Sequence, residues 1–594
     1  MNTPHNWLNR MVAFSLILCT LVFLPPSVQA QATDRTAADL TVGSGCTYPT
    51  LAAAITAAGN GDRILIEGGV TFAENIIIDS KNLTLEGGYS GCASGLTDLT
   101  TLDGGALDHT VTLSGTSVVT LKKLNITNGN AGNGGGVYVI NTSSVTLDKT
   151  DVYNNTAANG GGMYVAAPAS VILTNDSDIH HNTATTIGGG VRLWGTLTGN
   201  DWNSSITDNS APDGGGVSVP GGELQLNGSH ILRNTATDVD GRGGGIFASS
   251  SATVVIDASS NVAANDAYQG AGIYADSSEI TLYTSVIHSN EATGHGGGLY
   301  LSNNSVLSTS NMSLGFAAQD ANEAVNGGGI YSENSTITLT NGKVVNNVST
   351  GLGGGLYVTA TMLTINGTAF SDNIALAGGG AIYQLGGSSL HLENGTFYNN
   401  VADSNGNLDG YGGAIYSYNS TLEVSATYLH HNTAARGGAI YQDGASATGT
   451  INNCLIYANM VTQQGGGVYK QNGAMVLFHN TITENLGGAG FSGLADEAHN
   501  NILWDNDGGG FTTPPTNHSC NIDASEFGGI NLDPKFVSPG AGADYHLRAS
   551  SPAVDACGGV LYTDIEGTIR PLGAGYDMGA YEYRPIVFIP VILR

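Results

Sequence analysis

Positive charge is what this sequence has least of. Its 594 residues carry 18 Lys and Arg against 48 Asp and Glu, a net charge of -30. A nucleic-acid partner needs a Lys/Arg footprint, so that class is excluded. Docking on an anionic membrane by charge is excluded on the same ground. Helical periodicity is missing too: no run repeats its apolar residues at 3.6-residue spacing, so the fold is not built on helices. Long apolar runs are confined to the start, and no stretch of the mature chain is long enough to span a bilayer. Cysteines number six, and none stand at C-x-x-C spacing, so a cysteine-based metal site is not indicated and no metal ligands are assigned.

Glycine, by contrast, is abundant, with 87 residues. Much of it falls in one phrase, spelled "NNTAANGGGMYV", "HHNTATTIGGGV", "HHNTAARGGAIY" and "YANMVTQQGGGVY". Two or three glycines followed by an aliphatic residue recur about thirteen times, from Val137 to Val468. That is 331 residues over twelve intervals, roughly 27–28 per repeat, a solenoid period. A second phrase precedes the first: a large apolar residue, two variable residues, then Asn, as in Ile179 with Asn182 and Phe397 with Asn400. Between them lie short alternating runs such as "SSVTLDKT" and "STITLTN".

Each repeat therefore holds about three short strands and no helix. One such unit cannot bury its apolar face alone, but stacked coils can. The expected fold is all-β: a parallel β-helix whose coils lie about 4.8 Å apart, right-handed by the crossover rule. The aliphatic residue faces the core. The glycines supply positive φ at a corner where a Cβ would clash. The Asn must return inward after a bend and form an amide ladder between coils.

The first thirty residues read as a cleaved secretion signal, with Arg10, the apolar run "MVAFSLILCTLVFL" and a small-residue site at Val28-Gln29-Ala30. Residues 31–125 read as an N-terminal cap and first coils, with "YPTLAAAITAAGNGDRILIEGG" forming a short helix and then a strand. Residues 126–510 are the repeats, 511–583 the last coils and a C-terminal module, and 584–594 an apolar tail. An exported chain can keep disulfides. Cys46 and Cys92 flank the cap and are expected to pair, Cys520 is expected to pair with Cys557, and Cys454 is expected to stay free.

Particular phrases resemble known families. "FSDN…GGGAIY" and "FYNN…GGAIY" resemble the repeats of bacterial polymorphic outer membrane proteins, in which F-x-x-N and G-G-A-[ILV] alternate. "GDRILIEGGVTFAENIIIDSKNLTLEGG" resembles the first coils of pectin-lyase-like right-handed β-helices. "DPKFVSPGAGADYHLRASSPAVDACGG…DIEGTIRPLGAGYDMGAYEY" resembles the choice-of-anchor Q module of secreted β-helix proteins, with Cys557 where that motif has Gly. The resemblance implies the same fold, export and a cell-surface or secreted location.

Three readings of function follow. The first is a non-catalytic surface β-helix that displays a rigid face for adhesion, with extracellular polysaccharide or a cell-surface glycan as partner. The second is a polysaccharide lyase or hydrolase of the pectin-lyase-like class, and the third a surface spacer. No cofactor is required, although an acidic surface can attract calcium. Catalysis would need a cation–carboxylate cluster. The nearest candidates are His181, Asp208 and Arg233, which share one slot in successive coils, and Asp238, Asp240 and Arg242 in the insertion "DVDGRGGG". The residue after the core aliphatic one is the main binding candidate. Tyr274, Tyr300, Tyr331, Tyr357, Tyr383, Tyr416, Tyr441 and Tyr469 share that slot without interruption. Strand alternation puts these rings outside, as an exposed stripe or a self-stacked ladder.

Overall fold

The computed structural model describes residues 37–585, apart from Ala93, Thr97, Ser404, Glu526, Gly528 and Val560. The expected signal, residues 1–30, and most of the apolar tail lie outside the described residues.

The chain winds into a right-handed parallel β-solenoid of about 17 turns with very little helix. A typical coil runs through Ser144–Asp148, Asp151–Tyr153, Thr156–Asn159 and Met163–Val165. Stacked coil on coil, these positions make sheets 1, 2, 3 and 4, with 20, 18, 13 and 16 strands among the described residues. The short strand of sheet 3 is an addition to the three per coil expected from sequence. Its two to five residues lie between the Asn and the glycines, a stretch too short to show alternation. Pairing keeps one register over long runs, as in Tyr331 with Tyr357 and Tyr357 with Tyr383.

The core is a set of columns. All thirteen aliphatic residues of the glycine phrase, Val137 to Val468, have no exposed surface. Burying a side chain of this size stabilises by roughly 1.5–3 kcal/mol relative to leaving it exposed. Sheets 1 and 2 add their own inward columns, including Leu363, Ile365, Phe370 and Phe397, the last two stacked at 4.5 Å.

Two corners hold each coil closed. At the first, between sheets 2 and 3, the Asn ladder runs unbroken from Asn155 to Asn506. Asn373 is representative: its Nδ2 donates to Asn400 Oδ1 at 2.9 Å and to the Val344 carbonyl at 2.8 Å. Its own Oδ1 accepts from Asn347 Nδ2 at 3.0 Å and from the Asn347 backbone N–H at 3.1 Å. The bend that turns the Asn inward comes from the residue before it, which is left-handed: φ is 54° at His181, 55° at Asp208 and 53° at Arg233. That conformation costs about 1–2 kcal/mol for a residue with a Cβ. The buried amide bonds offset it.

At the second corner, between sheets 3 and 4, the glycines divide the work. Gly353 has φ +65°, whereas a Cβ on Gly354 would meet the Gly380 carbonyl at 2.5 Å. The first glycine is thus required by conformation and the second by close approach of the next coil.

Both ends are closed by other structure. The helix Leu51–Ala57 buries Leu51, Ala54 and Ile55 in the solenoid's apolar cluster. Glu74 accepts from the Leu51 and Ala52 N–H groups, both at 3.0 Å, and Lys81 Nζ donates to the carbonyls of Ile55, Thr56 and Ala58 at 2.6–3.0 Å. Charges of the right sign thus satisfy both helix ends. Cys46 and Cys92 are bonded beside this helix, with Cα atoms 5.1 Å apart. At the other end, the chain after Asp533 folds back over the outer face of sheet 2. Phe536, Tyr545, Leu547, Met578 and Tyr581 cover the outward residues Leu455, Ile502 and Ile522. Earlier coils place Asp151, Asp178 and Ser205 in that column, outside this apolar cluster. Cys520 and Cys557 link the last coils to this covering segment, and Cys454 is a buried free thiol.

Candidate functional site

The tyrosine column is set by the coil register. Sheet 4 places one ring per coil at the same position on its outer surface. The rings stack face to face: Tyr331–Tyr357 centroids are 4.9 Å apart at 3°, Tyr383–Tyr416 4.5 Å at 4°, and Tyr441–Tyr469 5.2 Å at 10°. Tyr274–Tyr300, Tyr300–Tyr331, Tyr357–Tyr383 and Tyr416–Tyr441 are stacked in the same way.

An exposed stripe is not what results. Tyr274, Tyr300 and Tyr441 are buried, at 7%, 5% and 5% exposure, and the other five are half-buried. The reason is that each ring spends its faces on the rings above and below. Further groups close in from sheet 3: His295 stacks on Tyr331 at 4.8 Å, Tyr411 lies 5.0 Å from Tyr441, and Arg436 sits over Tyr411 at 5.7 Å. The column shows solvent its edges and hydroxyls. Burial pushes the phenols of Tyr331 and Tyr383 up to about 12, with neighbouring tyrosines adding to it. They therefore remain hydrogen-bond donors at neutral pH. Some hydroxyls are already engaged within the protein: Tyr300 donates to Glu333 at 2.8 Å, Tyr469 donates to Gln471 at 2.7 Å, and Tyr383 and Tyr416 bond to each other.

Arginine closes the front of the stack. Arg242 lies over Phe247 at 4.8 Å and over Tyr274 at 5.6 Å. Its Nε and Nη2 donate to the two carboxylate oxygens of Asp213 at 3.2 and 2.8 Å. The grouping of Arg242 with Asp238 and Asp240 does not form. Asp238 and Asp240 stay on the exposed insertion, and Asp238 accepts from the Val239 N–H. Asp213 precedes the glycines one coil earlier, in the slot that Arg242 fills in its own coil. That shared slot was the sequence signal for the pair.

The row of His181, Asp208 and Arg233 is only partly assembled. Arg233 donates to both oxygens of Asp208, at 3.0 and 2.9 Å, and to Thr207 Oγ1 at 2.9 Å. Burial works against the Asp208 carboxylate, yet the Arg233 and Thr207 hydrogen bonds hold its pKa below the ordinary value. His181 turns instead to its neighbour, with Nδ1 2.8 Å from His180 Nδ1. Arg233 and Arg242 are both committed to carboxylates, so neither is a free base. Among the described residues, no three His, Cys, Asp or Glu side chains converge as metal ligands.

The family model for the right handed beta helix region matches residues 109–313. The fold is that of the right-handed β-helix. The Chlamydia polymorphic membrane protein repeat matches residues 367–384, the stretch that includes Phe370, Asn373 and the glycines before Ile382. Among solved structures, the crystal structure of pectate lyase Pel9A covers 93% of this chain and 97% of its own at 10% identity, with a TM-score of 0.21. No curated protein matches the chain.

Proposed function

We propose that this β-helix is an exported, non-catalytic surface protein that displays a long rigid face for adhesion or carbohydrate contact. The observation that carries the reading is the unbroken run from Tyr274 to Tyr469, which sets phenol edges in one line along the solenoid. Within it the half-buried Tyr331, Tyr357 and Tyr383 set hydroxyls at coil spacing, which suits an extended polymer that itself repeats. The commitment of Arg233 to Asp208 and of Arg242 to Asp213 removes these two arginines as the free cationic base that a lyase needs. Two disulfides fit an oxidising compartment, in keeping with a signal in the first thirty residues. The segment that covers sheet 2 would be the choice-of-anchor Q module, holding the solenoid at the cell surface.

The spacer reading draws on the same column, because stacked rings stabilise whether or not they bind. Replacing Tyr331, Tyr357 and Tyr383 together by alanine separates the two. Loss of glycan-array or cell-surface binding with an unchanged melting temperature supports the display face. A lower melting temperature with binding intact leaves only the spacer.

A further inference from the structure

A second place for a ligand lies on sheet 2, where the C-terminal segment folds back. A cavity of about 310 Å³ opens there between the last coils and the hairpin of Phe536–Ser538 with Asp544–Leu547. The hairpin is fixed over the coils by Glu484, which accepts from the Gly540 N–H at 2.8 Å and from the Tyr545 hydroxyl at 2.9 Å. The coil contributes Trp504 and Asp505, and the hairpin side contributes Asp533, Lys535 and Arg548.

Trp504 differs from the other aromatics of its column. Tyr457 stacks on His430 at 4.8 Å, but the coil before Trp504 carries Thr483 in the same position. No aromatic ring stacks on Trp504 among the described residues, and its indole N–H has no hydrogen-bond partner among them. The Asp505 carboxylate beside it accepts no hydrogen bond from the described residues either. Opposite, Lys535 Nζ donates to the Ser550 carbonyl at 2.9 Å and Arg548 Nη2 to the Val537 carbonyl at 2.7 Å, which holds both cations at the wall. Two of the chain's 18 Lys and Arg thus stand at one cavity with carboxylates facing them.

The composition narrows the ligand. An anion would meet Glu484, Asp505 and Asp533. An apolar ligand would strand five charges without solvent. A neutral polyol with one apolar face fits both demands, its ring against the indole and its hydroxyls between carboxylates and guanidinium. We propose that the cavity binds one neutral pyranose unit, stacked on Trp504 and hydrogen-bonded by Asp505 and Arg548. The proposal shares its ligand class with the surface reading above, but it rests on a different sheet and different residues.

The test uses the full chain with Trp7, Trp194 and Trp202 changed to phenylalanine, so that Trp504 alone reports by fluorescence. Methyl glucoside, methyl galactoside, N-acetylglucosamine and galacturonate are titrated separately. The expected result is a saturable change with at least one neutral pyranoside. Asp505→Ala and Arg548→Ala, which keep the indole, should each weaken it by about tenfold or more while the circular dichroism stays unchanged. The Tyr331, Tyr357 and Tyr383 triple alanine variant should leave it unaltered, so that failure of the tyrosine face and failure of this cavity are told apart. No saturable change with any neutral sugar, a preference for galacturonate, or binding indifferent to Asp505 and Arg548 would each overturn the assignment.

Discussion

The rings of Tyr331 and Tyr357 lie 4.9 Å apart and within 3° of parallel. Their residues are direct partners in the sheet 4 ladder. The separation of parallel strands, about 4.8 Å, thus also sets the separation of the rings. A coil register that places one tyrosine above another leaves neither face free, which is why the column is a stack before it is a surface.

Removing one ring from the stack should loosen it locally. Tyr357→Ala deletes contacts to Tyr331 and Tyr383, at about 0.5–1.5 kcal/mol each, so the cost is ~1–3 kcal/mol. Tyr357→Phe keeps both contacts and should behave as the parent. Hydrogen exchange in Leu356–Thr359 is the suitable readout, because a long solenoid can open by parts.

The Asn ladder should be less forgiving. Asn373→Ala leaves the Asn347 N–H groups, the Val344 carbonyl and Asn400 Oδ1 short of buried partners. Each orphaned group costs roughly 1–3 kcal/mol. Asn373→Asp should also destabilise strongly, since a carboxylate cannot donate to Val344 or Asn400. Denaturant unfolding should place both variants well below Tyr357→Ala. A cost under that of the tyrosine variant would mean the ladder is not the main closure of the coil.

Cys454 should be chemically silent in the native protein. It has no exposed surface, and burial pushes its thiol up to about 12. Its backbone N–H donates to Asn480 Oδ1 at 2.9 Å, and Thr427 fills the equivalent corner one coil earlier. A thiol reagent should label nothing at pH 8 in protein lacking residues 1–30, and one thiol after unfolding without reductant. Cys454→Thr should fold normally.

A buried histidine and a half-buried aspartate should give opposite pH slopes. Burial first, and Arg570 next, push His479 down to about 3. As pH falls below about 6.5, the unfolded chain takes a proton that the folded imidazole refuses, so stability is lost progressively toward pH 3. Exchange at Thr481–Thr483 and around Met578 should rise over that range. Burial first, and Asp178 next, raise Asp151 to about 6. Here the folded state keeps a proton that the unfolded chain releases from about pH 4, so stability falls as pH rises from 4 to 6. Asp151→Asn should abolish that slope and raise the melting temperature at pH 7. A melting temperature unchanged by the substitution at pH 7 would show that Asp151 is not strained.

Most of the fold is legible in the repeated phrase. Val137 through Val468 announce the inward column by recurring at one period, and the Asn of each F-x-x-N phrase announces an inward turn. The site is less legible. The tyrosines stand on the outer side of sheet 4 yet are largely covered, because alternation says which side a ring is on and not what covers its faces. The insertion "DVDGRGGG" invited a grouping of near neighbours in sequence, whereas Arg242 found Asp213 a coil away.

The sequence by itself determined what repeats: the coil length, the core columns, the two corners and the stacking of like residues. In a solenoid, a residue's neighbour is its own counterpart one period on, so periodicity is already contact information. Tertiary structure alone decided what has no period. The closure of sheet 2 by Phe536, Tyr545 and Tyr581, the burial of His479 against Arg570, 91 residues away, and the cavity beside Trp504 all join segments that share no register. Such contacts depend on where a non-repeating chain lands, and its apolar residues can seek any complementary surface until packing selects one.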